Sequence, residues 1–329
     1  MVRNKSLSIG VKSIELWFPS NSCNVQQLIS EADFGSEAKV YFQELGVDSI
    51  QIAPPGSGYD LAKNAGKKLL SKESIDPKDI DLLIMIQSRL PTHLISSESA
   101  RLQYELGLDN ADVVSVSGLG CADMTMAMKL ARNHLIATAE SEHVLICFGC
   151  SAYMPSRFRY PVTINGDGGI AILIGRAETM QILDVAFKTN GKYWDLFKID
   201  YQESHFELYK EECKSEKTYG FELAIESRNN FKELNESLLR KNGLEWDQID
   251  HVIMQNLSSR AYEYYGEALG MDISPICAFN LSQFGHLGPM DIFLNMHAGI
   301  TDHFFQQDDY VLIMNNSPVA AWSTIIIKI

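Results

Sequence analysis

The sequence predicts an α/β chain built as two similar halves, and three observations predict it. Two segments match at a constant offset of 169, with Ile75-Asp-Pro-Lys-Asp-Ile-Asp-Leu-Leu-Ile-Met85 falling on Leu244-Glu-Trp-Asp-Gln-Ile-Asp-His-Val-Ile-Met254. The match keeps its phase upstream, where Leu69-Leu70 falls on Leu238-Leu239, each pair closing a stretch (60–72 and 226–241) with apolar residues at helical spacing. Apolar runs of strand length then alternate with helical stretches along most of the chain, the pattern of buried strands covered by helices.

Each copy of the repeat therefore reads helix, short acidic turn, buried strand. In the first half the predicted strands are 82–86, 113–116, 144–148 and 170–174; in the second they are 252–254, 276–280, 311–315 and 324–329. The division is expected at residues 1–177 and 178–329. The polar stretch from Tyr201 to Lys217 reads as an inserted loop.

Composition excludes several classes of function. With 329 residues, 46% hydrophobic and 21% charged, the chain can bury one large core or two fused ones. A net charge of −14 disfavours nucleic acid or an anionic membrane as the main partner, because phosphate contacts need clustered Lys and Arg. The alternating N-terminal segment has no apolar run of signal-peptide length, and no segment approaches the roughly 18 apolar residues of a membrane span, so a cytoplasmic location is expected. The six cysteines are scattered, and Cys147-Phe-Gly-Cys150 ends an apolar run with no second such pair. They read as buried strand residues rather than a metal or redox motif.

Three constellations carry chemistry. Between the predicted strand ending at Val116 and the helical stretch 122–138 lies Ser117-Gly-Leu-Gly-Cys121-Ala-Asp, whose glycines permit a sharp strand-to-helix turn. At a helix N-terminus the dipole and free N–H groups favour a thiolate, so Cys121 reads either as a nucleophile or as a small buried turn residue. Phe284-Gly-His286-Leu-Gly-Pro-Met-Asp291 places an Asp five residues beyond a His. Such an Asp can orient one imidazole nitrogen and leave the other to face a thiol, although His286, taken alone, reads more often as a cap or a satisfied loop residue than as a base. Asn165-Gly-Asp-Gly-Gly169 lacks the dinucleotide spacing and reads as a tight turn before a strand.

Taken together, these motifs resemble the thiolase superfamily, most closely ketoacyl-acyl-carrier-protein synthase III and its acyltransferase relatives. The resemblance runs along the whole chain: Leu45-Gly-Val-Asp, the Gly-Cys121-Ala turn, Asn165-Gly-Asp-Gly, the duplicated Ile-Asp before each strand, and a final strand with Trp322. It implies the duplicated, five-layered α-β-α-β-α thiolase fold, Cys121 as the acylated nucleophile and a homodimer. It also implies no bound cofactor or metal, the substrate being a thioester of coenzyme A or of the phosphopantetheine of an acyl carrier protein.

Departures from the condensing enzymes refine the expectation. Where those enzymes place a decarboxylating His and Asn, this sequence has Gln255 and His286. Gly-His286 with Asp291 resembles instead the members that carry a Cys-His-Asp arrangement and transfer acyl groups to a thiol, hydroxyl or amine without decarboxylation. A His–Asp pair suits deprotonation of such an acceptor, whereas an enolate needs two convergent donors. The expected function is therefore acyl transfer, by resemblance in specialised-metabolite assembly such as polyketide biosynthesis. The alternatives are a decarboxylative condensing enzyme or a weakly active thiolase-fold partner subunit. The turn before Trp322 reads Ser317-Pro-Val-Ala-Ala, and since Pro318 has no N–H the second oxyanion donor is expected from Val319 beside a site-lining Gln255. Arg159 matches a basic position at the substrate entrance, and Asp48-Ser-Ile-Gln51 lacks the arginine often found there, which tilts the donor toward a carrier protein.

Overall fold

The computed structural model describes residues 8–87, 91, 93–202, 204–319 and 321–329. The apolar runs pair into a nine-stranded sheet. Its strands, in chain order, are β1 (Ile9–Trp17), β2 (Leu82–Ile86), β3 (Asp112–Val116), β4 (His143–Cys150), β5 (Gly168–Arg176), β6 (Gln181–Thr189), β7 (His251–Met254), β8 (Tyr310–Ser317) and β9 (Ala321–Lys328). Their order is β7-β8-β9-β6-β1-β5-β4-β2-β3.

The order repeats itself. β2 runs parallel to β4, which is antiparallel to β5, which is antiparallel to β1. Likewise β7 runs parallel to β8, which is antiparallel to β9, which is antiparallel to β6. The two sets join through Gly10 and Gln181. The sequence repeat falls on matching elements: helix α1 (Gly58–Glu73), a 3₁₀ turn at Pro77–Asp79 and β2 in one copy; helix α4 (Ala224–Asn242), a 3₁₀ turn at Trp246–Gln248 and β7 in the other. Between them in the chain lie helices α2 (Glu98–Leu106) and α3 (Asp123–Ala137), and after β7 come α5 (Ser259–Leu269), α6 (Pro275–Phe284) and α7 (Asp291–Thr301).

Burial explains the layering. All five residues of β2 are buried, so both faces of the sheet are covered. Leu83 and Met85 pack with Leu145, Cys147, Ala171 and Leu173 under α1, and Ile84 and Ile86 belong with Met124, Ala127 and Met128 of α3 to the larger core. Helices α3 and α7 each touch strands of both sets, while α1 covers the outer side of one and α4 that of the other. Glycines let α1 lie directly on the sheet, since a Cβ at Gly149 would come within 1.9 Å of the Gly58 carbonyl and one at Gly169 within 2.2 Å of the Leu61 carbonyl. Cys147 and Cys150 are buried thiols of β4, and burial pushes the Cys147 thiol up to about 12.

One predicted strand is a helix. Residues 276–280 lie within α6, which Pro275 opens at a first-turn position where its missing N–H costs nothing. Its buried residues, Ile276, Cys277, Asn280 and Leu281, follow helical rather than alternating spacing. What remains of a strand beside β7 is a single bridge between Val252 and Ile273. The stretch 201–217 contains a 3₁₀ turn at Phe206–Leu208, and Glu212–Cys213 pairs with Phe197–Lys198.

Candidate active site

Cys121 sits in a 3₁₀ turn, Gly120–Ala122, between β3 and the first turn of α3. Gly118 and Gly120 take φ of 92° and 57°, the left-handed region where a side chain is strained, so the two glycines make this turn possible. The Cys121 carbonyl accepts from Asn315 Nδ2 on β8 at 2.8 Å, tying the turn to the other set of strands.

His286 follows Gly285 at the end of α6, where φ is 63°. Its main chain is clasped by the Asn165-Gly-Asp turn: His286 N–H donates to the Ile164 carbonyl at 2.9 Å and its carbonyl accepts from Gly166 N–H at 3.1 Å. That turn is fixed by a two-pronged ion pair from Arg157 to the fully buried Asp167, both contacts 2.8 Å. Cys121 Sγ and His286 Nε2 are 3.3 Å apart, and His286 Nδ1 and Asp291 Oδ2 are 2.6 Å apart. Asp291 opens α7 and is saturated: Oδ1 accepts from Leu287 N–H at 2.7 Å and Oδ2 also from Asn256 N–H at 3.0 Å. Burial alone would strip the proton from His286, but Asp291 and Cys121 hold it on and raise its pKa to about 10. Burial pushes the Asp291 carboxyl up, opposed by His286 and by the two backbone donors.

A ladder of buried amides supports this pair. Asn280 donates to Asn295, Asn295 to the Met254 carbonyl and to Asn256 Oδ1, and Asn256 Nδ2 to the carbonyl of Gly285, the residue before His286. Each of these amides is almost wholly buried and the chain of bonds is continuous, the condition under which such a network fixes one geometry.

Cys121 and His286 open onto a cavity of about 1060 Å³, which Val319 and Arg159 also line. Gln255 is buried and is not among the described residues lining the cavity. Its amide donates to the Asn316 carbonyl at 3.0 Å and to the Asn316 side chain. The expectation of a site-lining Gln255 is therefore corrected: pairing with Asn316 holds it away. Val319 reaches the cavity, but its N–H points within its own turn to Ser317 Oγ at 3.4 Å. Arg157 and Arg159 are not surface charges, being paired to Asp167 and Glu211.

Sequence reasoning missed Glu211, Tyr153 and Asn256. Glu211 and the cavity-lining Tyr201, Phe206 and Tyr209 lie in the stretch taken as an inserted loop, where three aromatic residues among so many charges were the available signal. Among the described residues no group of His, Cys, Asp or Glu could hold a metal ion, and no helix is long and apolar enough to cross a membrane.

Residues 239–329 match the family of the 3-oxoacyl-[acyl-carrier-protein] synthase III C terminal. The β-ketoacyl-[acyl-carrier-protein] synthase III of Yersinia enterocolitica is 22% identical over 86% of this chain and 88% of its own, and that of Synechocystis 23% over 82% of each. Among solved structures, the 3-oxoacyl-[acyl-carrier-protein] synthase III of Aquifex aeolicus superposes with a TM-score of 0.80 at 18% identity, covering 98% of this chain and 100% of that one. The acyltransferase ChlB3 gives 0.83 at 18% identity, and a variant of OleA from Xanthomonas campestris 0.80 at 14%, each covering 98% of both chains. The sheet, its layers and these superpositions define a thiolase fold. Along most of its length the chain is similar to ketoacyl synthase III proteins, and residues 239–329 carry the sequence pattern of their C-terminal part.

Proposed function

We propose that this protein is an acyltransferase that moves an acyl group from a thioester donor, through a thioester on Cys121, to a thiol, hydroxyl or amine acceptor without decarboxylation. The observation that carries this reading is the continuous Cys121, His286, Asp291 line of contacts, 3.3 Å and 2.6 Å, at the wall of a large cavity. The Cys121 sulfur attacks the thioester carbonyl carbon, a C–S bond forms, and the bond to the donor sulfur breaks as that sulfur takes the proton from His286 Nε2. The charge of Cys121 is one of the groups that hold the proton on His286, and acylation removes it. The neutral Nε2 then accepts the proton of the acceptor as the acceptor attacks the acyl carbon, and Cys121 leaves as thiolate beside the new imidazolium. Asp291 keeps Nδ1 protonated through both steps.

Condensation through a malonyl enolate is disfavoured, because Gln255 is turned to Asn316 and no second donor converges with His286 from that position. The donor is a thioester of an acyl carrier protein or of coenzyme A. We further propose that the active form is a homodimer, with residues 1–177 and 178–329 as the two halves of each protomer. β3 ends the sheet with its outer edge unpaired among the described residues, available to a second copy. Incubation with acyl thioesters followed by tandem mass spectrometry should place the adduct on Cys121; an adduct that persists in Cys121→Ala would sink the proposal.

A further inference from the structure

The cavity wall contains a buried ion pair that the transfer chemistry does not use. Arg159 Nε and Nη2 each donate to Glu211 at 2.8 Å in a two-pronged fork, and Tyr153 Oη donates to the same carboxylate at 2.7 Å. Both charged side chains are close to nine-tenths buried, at 10% and 8% exposure, and all three residues line the cavity with Cys121. Arg159 Nη1 donates to no described residue. Burial opposes the guanidinium charge, but Tyr153, Glu211 and the Cys121 sulfur lie within electrostatic range and hold its pKa up.

An arginine facing an acyl-transfer cavity would ordinarily recruit an anion. Here the fork is already occupied by a carboxylate, so what remains are the two Nη1 N–H groups and the second Nη2 N–H, with their charge offset by Glu211. Such a group donates to a neutral oxygen, a carbonyl or hydroxyl. A second anion placed beside Arg159 would face the Glu211 carboxylate that already holds its fork. We infer that Glu211 is a specificity-determining residue: by occupying Arg159 it makes the cavity select neutral thioesters carrying a polar oxygen and reject anionic ones such as dicarboxylic acyl groups. The inference deepens the acyltransferase reading and rests on it for the word thioester, but not for the electrostatics.

The test therefore uses a probe that needs no acyl transfer. Cys121 is alkylated with neutral iodoacetamide and with anionic iodoacetate, and the ratio of the two rates reports the potential at the sulfur. Glu211→Gln keeps the shape and unmasks Arg159. The iodoacetate to iodoacetamide ratio should rise severalfold, because removing one negative charge from the cavity wall favours approach of the anionic reagent and leaves the neutral one unaffected. It should fall back in the Arg159→Gln, Glu211→Gln double variant. An unchanged ratio in Glu211→Gln, or an equal rise in the double variant, would overturn the inference. Should Glu211→Gln not fold, the wild-type enzyme decides: acyl-enzyme formation from acetyl-pantetheine should outpace that from succinyl-pantetheine, and equal rates would overturn it. Failure of both thioesters to acylate Cys121 would count against the acyltransferase reading, with the alkylation ratio still deciding the role of Glu211.

Discussion

Replacing Asp291 by Asn keeps the shape of a fully buried side chain and removes its charge, and the contacts around it limit what the amide can do. The carboxylate accepts from Leu287 N–H on one oxygen, and from His286 Nδ1 and Asn256 N–H on the other. If the amide oxygen takes the second position, the new NH₂ faces the Leu287 N–H and one buried donor is left without an acceptor. If the amide is turned over, the NH₂ faces His286 and forces the proton onto Nε2, the nitrogen 3.3 Å from Cys121, which can then no longer act as a base. Either arrangement should cost about 1–3 kcal/mol of stability. Both lose the charge that opposes the burial of His286, so its pKa should fall from about 10. The transfer step, in which a neutral acceptor must surrender a proton, should slow by roughly 10²–10⁴-fold. Formation of the acyl-enzyme should slow less, because the attacking group in that step is the Cys121 sulfur and no neutral acceptor has to give up a proton to His286. Rapid quench with intact-protein mass spectrometry follows adduct formation and decay separately, and Asp291→Asn should accumulate the adduct. Decay as fast as in the wild type would show that the His–Asp pair does not serve the second step.

Three further outcomes are expected. The folded-state pKa of His286 is raised from 6.5 to about 10, so its contribution to stability is full below about 6.5 and is lost as pH rises through about 10; the melting temperature of wild type minus that of His286→Gln should shrink across that window, and growth of the difference would contradict the ion pair. Light scattering at micromolar concentration should return twice 36.9 kDa, and a monomer mass would remove the proposed pairing across β3. Gly120→Ala should lose more stability than Gly288→Ala. Both backbones sit at positive φ, 57° and 64°, a strain of about 1–2 kcal/mol, but a Cβ at 120 would meet Ser317 Oγ at 2.5 Å and one at 288 nothing closer than 3.9 Å. Equal losses in urea denaturation would mean that Ser317 yields freely.

Much of this was legible because it rests on local pattern. The helix, turn and strand of the repeat, the strands around Leu83, Ile146 and Ile172, and the strand-to-helix turn at Cys121 follow from periodicity and glycine placement. The apolar run from Ile276 was misread because it is too short for period alone to separate helix from strand, and Pro275 was the residue that decided it. Gln255 was placed in the site by position in the motif, whereas its side chain is set by Asn316, 61 residues away. Arg159 and Glu211, 52 residues apart, meet only through tertiary folding, so neither the pairing nor its effect on the cavity could be read along the chain.

The site itself is built from one turn used twice. Leu119-Gly-Cys-Ala-Asp123 and Leu287-Gly-Pro-Met-Asp291 each carry a glycine at positive φ, a 3₁₀ turn and an Asp that opens a central helix. In both, the Asp side chain accepts from the Leu N–H, at 3.1 Å in the first and 2.7 Å in the second. The Asp-to-Leu bond is thus the structural role common to the two copies. The differences lie in what surrounds it: in the first copy the residue after the glycine is Cys121, while in the second that place is Pro289 and the residue before the leucine is His286, with Gly118 at the equivalent point of the first. Asp291 uses its second oxygen for the imidazole. Because α3 and α7 each contact strands of both sets, their N-terminal turns meet, and Cys121 from one copy faces His286 from the other, the nucleophile and base of the proposed reaction. The geometry of the proposed site then depends on how the two sets of strands sit together, and the Asn315 bond to the Cys121 carbonyl and the clasp between His286 and the Asn165 turn each cross between the first and second halves of the chain. The same turn, present twice, supplies the framework, and a few side-chain differences between the two supply the groups on which the proposed chemistry rests.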